Sequence, residues 1–106
     1  MAVTAKMRNL LNKVKSNLIV QHGEDDDLLL SYIAAAIDYA EAYQKVKYGS
    51  KKLPPATEQA VIMLSSHFYE SRDGSTAGFF ADNTNAATQV WTAVNRLLAM
   101  NKYLEF

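Results

Sequence analysis

Pro54-Pro55-Ala56-Thr57-Glu58-Gln59-Ala60-Val61-Ile62-Met63-Leu64-Ser65-Ser66-His67-Phe68-Tyr69-Glu70-Ser71-Arg72-Asp73-Gly74 carries the strongest structural signal in the chain. Proline lacks an amide hydrogen and holds φ near that of a first helical turn, so the pair can open a helix. Gly74 permits the left-handed residue that commonly closes one. Between these marks Val61, Leu64 and Phe68 recur at i, i+3 and i+7, and Ala60, Ile62, Met63 and Tyr69 widen the stripe until little polar face remains. A helix apolar on nearly every side belongs at the centre of a bundle.

The segments around it supply the companions. Met7, Leu10, Leu11 and Val14 recur at helical spacing after Thr4, a suitable N-cap, and predict a short first helix with a basic polar side that ends near Ser16-Asn17. Leu18-Ile19-Val20 is too short to assign by period and reads as a connector tucked into the core. Glu24-Asp25-Asp26-Asp27 can cap free amides and complement the positive end of a second helix. In that helix Leu29, Ile33, Ala36, Ala40 and Tyr43 form the stripe, Lys45 and Lys47 suit the negative end, and Gly49 is the expected stop. A last helix is predicted to start near Asn83 to Asn85 and to run toward the terminus on Val90, Trp91, Val94, Leu97 and Leu98. The short link from Gly49 to Pro55 favours antiparallel neighbours. The expectation is a single all-α domain over 1–106: a small antiparallel bundle of about four helices, with a central apolar helix and an irregular loop before the last helix.

The totals agree with such a domain. A chain of 106 residues is long enough to bury a core without a staple. With no cysteine among them, disulfide frameworks and thiolate metal sites are excluded, and a cytoplasmic place of synthesis is the default. Eleven Lys/Arg balance eleven Asp/Glu, which argues against a chain devoted to neutralising nucleic-acid phosphates. The charge is nevertheless blocked out. Lys6, Arg8, Lys13 and Lys15 precede any acid; Glu24, Asp25, Asp26, Asp27, Asp38 and Glu41 follow without a base; Lys45, Lys47, Lys51 and Lys52 come next. Blocks of opposite sign can pair within one fold or between neighbouring copies. The first twenty residues lack a continuous signal-peptide core, and no run approaches the roughly 20 apolar residues that cross a bilayer, so a soluble protein without membrane partners is expected.

Candidate chemistry is sparse. His67 and Glu70 share a helical spacing that can bring imidazole and carboxylate to one metal, but the further inward ligands of such a site are not evident, and a bundle role for His67 is the simpler reading. Asp25-Asp26-Asp27 lacks the alternating ligands and turn glycine of a calcium loop. No nucleophile elbow positions a serine. The expectation is therefore a chain with no catalytic residue, no metal and no cofactor. The tyrosines mostly lie on helical stripes and read as core and interface rather than as a base-stacking platform.

The ordered set of segments resembles the head-tail connector proteins of tailed bacteriophages, also called head-completion or adaptor proteins. The likeness covers about Leu10 to Arg72. It runs through Leu18-Ile19-Val20, the acidic Glu24-Asp25-Asp26-Asp27-Leu28-Leu29, Tyr32-Ile33-Ala34-Ala35-Ala36, Tyr39-Ala40-Glu41-Ala42-Tyr43 and the Gly49 break. Its most distinctive part is the proline-led apolar helix ending in Ser66-His67-Phe68-Tyr69-Glu70-Ser71-Arg72, which looks like the family's His-aromatic-Tyr-Glu-x-Arg signature. The chain departs from the family pattern at Ser50, where Arg is frequent, and at Phe79-Phe80 and Asn83-Thr84-Asn85, which replace a proline-glycine element.

The resemblance implies a virion structural protein at the head-tail junction, made in the bacterial host cytoplasm or encoded by a prophage. It implies a ring homo-oligomer, twelve-fold in the virion, that sits below the portal protein. Such a ring extends the channel through which phage DNA passes without sequence-specific binding, and it presents a surface to the next head-completion or tail protein. A cyclic head-to-tail contact joins unlike surfaces. The expected interface residues are Lys6, Arg8, Lys13, Lys51 and Lys52 on the basic side, Asp25, Asp26 and Asp27 on the acidic side, and Phe79, Phe80, Tyr103, Leu104 and Phe106 as apolar contacts. Glu70 and Arg72 do not share a helical face, so they reach loops or neighbours from opposite sides or simply solvate the helix end. The rival reading is a small helical nucleic-acid-binding regulator with the basic first helix and Lys51-Lys52 facing phosphates.

Overall fold

The computed structural model describes residues 4–20, 23–71 and 84–102, and all of the secondary structure in them is helical. Helix α1 spans Ala5–Leu18, α2 Asp26–Gln44, α3 Pro55–Glu70 and α4 Thr84–Lys102.

Each helix follows from its sequence. Thr4 caps α1 by accepting the Met7 amide at 3.2 Å. Leu10, Leu11 and Val14 are buried beneath it. The helix runs one turn-fraction past the expected end, to Leu18, and closes as a Schellman motif: the Ile19 amide donates to Ser16 O and the Val20 amide to Lys15 O at 2.9 Å. Leu18 and Val20 do pack against the core, whereas Ile19 between them is 82% exposed and left-handed, at φ 58°.

In α2 the buried set Leu29, Ile33, Ala36, Ala40 and Gln44 advances by three or four residues, one stripe of a helix. Asp26 and Asp27 sit in its first turn, at the positive end of the dipole. Asp25 occupies the N-cap without making a capping bond, because its carboxylate accepts the Tyr69 hydroxyl instead. The expected stop at Gly49 is corrected: α2 ends at Gln44, and Lys45 takes the left-handed position. The cause is Tyr48, through both its backbone and its side chain. Its amide donates to Glu41 Oε2 at 2.8 Å and its hydroxyl to Gln44 Oε1 at 2.5 Å, which folds the chain back over the helix end and leaves the ring 8% exposed. Lys45 and Lys47 therefore lie beyond the helix rather than in its last turn. Gly49 spends its left-handed freedom in a separate turn, closed by the Lys51 amide on Tyr48 O.

Helix α3 begins at Pro55, as the missing amide hydrogen allows. Thr57, Ala60, Val61, Ile62, Leu64, Ser65, Ser66 and Tyr69 are all buried, more than one face, and α3 packs on each of the other three helices. Burying a Val, Ile or Leu side chain contributes about 1.5–3 kcal/mol, so this helix carries a large share of the core. Its buried serines are satisfied: Ser65 Oγ donates to Val61 O at 2.7 Å, and Ser66 Oγ accepts from Asn17 Nδ2 at 2.8 Å. The helix ends at Glu70, with the Ser71 amide on His67 O. The expected close at Gly74 lies outside the described residues. Helix α4 starts where the sequence places it and buries Val94 and Leu98, with Val90, Trp91 and Leu97 half-buried beside them.

Paired residues give the topology. Asp25 meets Tyr69 while Gln44 meets Thr57, so α2 and α3 are antiparallel. Lys15 meets Asp26 while Lys6 meets Gly49, so α1 and α2 are antiparallel. Phe68, near the end of α3, touches Trp91 in the first half of α4, and Gln44 bridges Thr57 to Leu98, so α3 and α4 are antiparallel. The bundle runs up, down, up, down. One end holds the starts of α1 and α3; the other holds the starts of α2 and α4.

Candidate assembly surfaces

The polar side chains inside the bundle tie helices together. Gln44, 4% exposed, donates from Nε2 to Thr57 Oγ1 at 2.9 Å and to Leu98 O at 3.0 Å, and accepts the Tyr48 hydroxyl. One amide thereby joins α2, α3, α4 and the loop after α2. Tyr69 of the His-Phe-Tyr-Glu segment anchors the end of α3 to Asp25 at the start of α2. Among the described residues every buried side-chain nitrogen and oxygen has a partner. Gln44 was invisible to sequence reading, because a glutamine at the last turn of a helix is ordinarily solvated. The one available signal was its place on the stripe, four residues beyond Ala40.

His67 and Phe68 lie on a half-exposed aromatic surface. Trp91 stands edge-on to His67 at 6.3 Å and to Tyr39 at 5.3 Å; Phe68 lies between Trp91 and Tyr32. The Tyr39 hydroxyl donates to Asn95 Oδ1 at 2.5 Å. His67 is thus a packing residue of the α3–α4 seam. Among the described residues no group of three or more His, Asp or Glu could hold a metal ion.

Several of the charges expected at an interface are engaged within the subunit. Lys13 pairs with Glu58 at 2.6 Å and Lys15 with Asp26 at 2.8 Å. Lys6 donates to Gly49 O at 2.8 Å with its ammonium 5.9 Å from the Tyr48 ring centroid. Partial burial lowers the Lys6 pKa, an effect that the Glu41 carboxylate partly offsets. Asp25 is taken by Tyr69, and Glu41 by the Tyr48 amide and, at 3.9 Å, Lys47. Arg8, Asp27, Lys51, Lys52 and Glu70 are exposed. Arg72, Phe79, Phe80, Tyr103, Leu104 and Phe106 lie outside the described residues. The blocks of opposite charge therefore pair in part within one chain, while Arg8, Asp27 and Glu70 remain exposed near helix ends, Lys51 and Lys52 in the loop before α3, and Asp38 and Arg96 within α2 and α4.

The described residues form a small four-helix bundle. The model of the phage gp6-like head-tail connector protein family matches residues 8–99, and the chain belongs to that family. Its proteins are structural rather than enzymatic. No curated protein and no solved structure shows significant similarity to the chain. No described helix is long and apolar enough to cross a membrane.

Proposed function

We propose that this chain is the subunit of a homo-oligomeric ring at the head-tail junction of a phage virion, twelve-fold when assembled, with the portal protein on one side and a head-completion or tail protein on the other. The ring extends the channel for DNA, which passes without base-specific contact, and the chain performs no catalysis and holds no cofactor. The observation that carries this reading is the family match across nearly the whole bundle, on a fold whose interior is closed by its own polar contacts and whose action is left to its surfaces. Two unlike patches on each subunit form the ring contact. The basic 6–15 or 45–52 segments meet the acidic 24–41 segment of a neighbour, while Phe79, Phe80 and the Tyr103, Leu104 and Phe106 tip serve as apolar docking contacts.

Electron microscopy of the purified chain, alone and mixed with its portal complex, tests the proposal. Annular particles, or an added layer on the portal, are expected. A chain that neither forms annuli nor binds portal, and instead binds duplex DNA with steep salt dependence, would establish the regulatory reading in its place.

A further inference from the structure

The up-and-down topology gathers most of the charged side chains at the two ends of the bundle. At the end where α1 and α3 finish and α2 begins, the described residues include Glu24, Asp25, Asp26, Asp27 and Glu70, against Lys15. At the opposite end, where α1 and α3 begin and α2 finishes, they include Lys6, Arg8, Lys45, Lys47, Lys51 and Lys52, against Asp38, Glu41 and Glu58. Alternating helix directions cancel most of the backbone macrodipoles, so this polarity is made by side chains.

Exposed apolar side chains follow the same division. The large hydrophobic residues that are well exposed among the described ones are Ile19 at 82%, Leu28 at 37% and Met100 at 59%. Ile19 and Leu28 belong to the acidic end and Met100, in the last turn of α4, to the basic end. Ile19 also holds the left-handed conformation, at φ 58°, which a β-branched side chain adopts only at a cost. The backbone bonds to Ser16 O and Lys15 O that close α1 need the left-handed conformation but not this side chain, which is exposed to water. Glycine or asparagine would close α1 more cheaply.

We infer that the acidic end of one copy, with Ile19 and Leu28 at its centre, docks on the basic end of a second copy around Met100, Lys51 and Lys52. The occupant is a second copy of this chain because the two ends complement each other in charge, each carries exposed apolar surface, and the whole chain is neutral. Joining unlike ends is heterologous, so it propagates in one direction and closes where the rotation per subunit divides a full circle. The inference rests on the proposed ring and names the surfaces that meet in it.

A charge-swap pair tests this with the full chain. K51E/K52E cancels the positive charge of the basic end, and D27K/E70K cancels the negative charge of the acidic end; all four positions are exposed, and circular dichroism checks that both variants fold. In analytical ultracentrifugation each variant alone is expected to lose self-association at low salt. Their equimolar mixture is expected to form heterodimers that go no further, because the intact acidic end of the first meets the intact basic end of the second while the other two ends carry no complementary charge. I19D is expected to abolish association even in that mixture. If wild type assembles and both swapped variants assemble equally well alone, the end-to-end contact is wrong and the ring stands. A wild-type chain that remains monomeric at low salt and high concentration also overturns the contact, while the ring reading is judged separately by whether the chain forms a layer on portal.

Discussion

Replacing Gln44 by leucine tests the account of how this bundle is locked. The side chain is 4% exposed and engages Thr57, Leu98 and Tyr48. Leucine keeps most of the volume, so the cavity is small and the loss is mainly polar. The hydrogen bonds to Thr57 and Leu98 contribute roughly 1 kcal/mol each net, and stranding the buried Tyr48 hydroxyl adds about 1 to 3 kcal/mol. Gln44→Leu should therefore cost about 3 to 5 kcal/mol, a large part of the roughly 5–15 kcal/mol that holds a domain together. At about 4–8 °C per kcal/mol for a domain near this size, Tm falls by at least about 12 °C. Urea titration followed by far-UV circular dichroism measures the loss, with Tyr48→Phe and the double variant completing a cycle. Phenylalanine removes the stranded hydroxyl, so the double variant should be less unstable than the sum of the singles by about 1 kcal/mol or more. A Gln44→Leu chain within about 0.5 kcal/mol of wild type, or strict additivity in the cycle, would refute the role assigned to this amide.

Other outcomes follow from the same contacts. Leu64→Ala, at a fully buried site in α3, should destabilise by about 2–5 kcal/mol in the same titration. Tyr69→Phe keeps the ring and removes the bond to Asp25, and should cost about 1.5–3 kcal/mol, since the acceptor is a carboxylate, with faster amide exchange in the first turn of α2. Ile19→Asn should raise stability by up to about 1 kcal/mol by relieving the left-handed backbone, as thermal unfolding will show. The Lys6 pKa is lowered on folding, so at alkaline pH the unfolded chain binds the proton more tightly and stability from this group rises as pH climbs from the folded value toward the ordinary lysine value. An NMR titration of the Lys6 side-chain methylenes should show it losing its proton below the ordinary lysine value, and Lys6→Gln should remove its share of the alkaline rise.

Helices, their order and most of the core were legible in the sequence because each is written in local terms. Proline at the start of α3, Thr4 before α1, and stripes such as Leu29, Ile33, Ala36 and Ala40 depend only on how a helix turns and what water rejects. The family signature was legible for the same reason, since it is a run of neighbours. What required the fold was every fact that depends on residues far apart in the chain. The end of α2 looked like Gly49 because glycine is the usual left-handed residue, yet Tyr48 reaching back to Glu41 and Gln44 moves the stop to Lys45. The basic face of α1 looked free, yet Lys13 and Lys15 find Glu58 and Asp26 only once the helices pack. Gln44 became a core residue through partners 13 and 54 positions away. Charge blocks that alternate along the sequence became two opposite ends only through the up-and-down path of the chain. Local period and capping are set by the sequence itself; which polar groups meet, and which are left facing another molecule, is settled by the packing of one helix against the next.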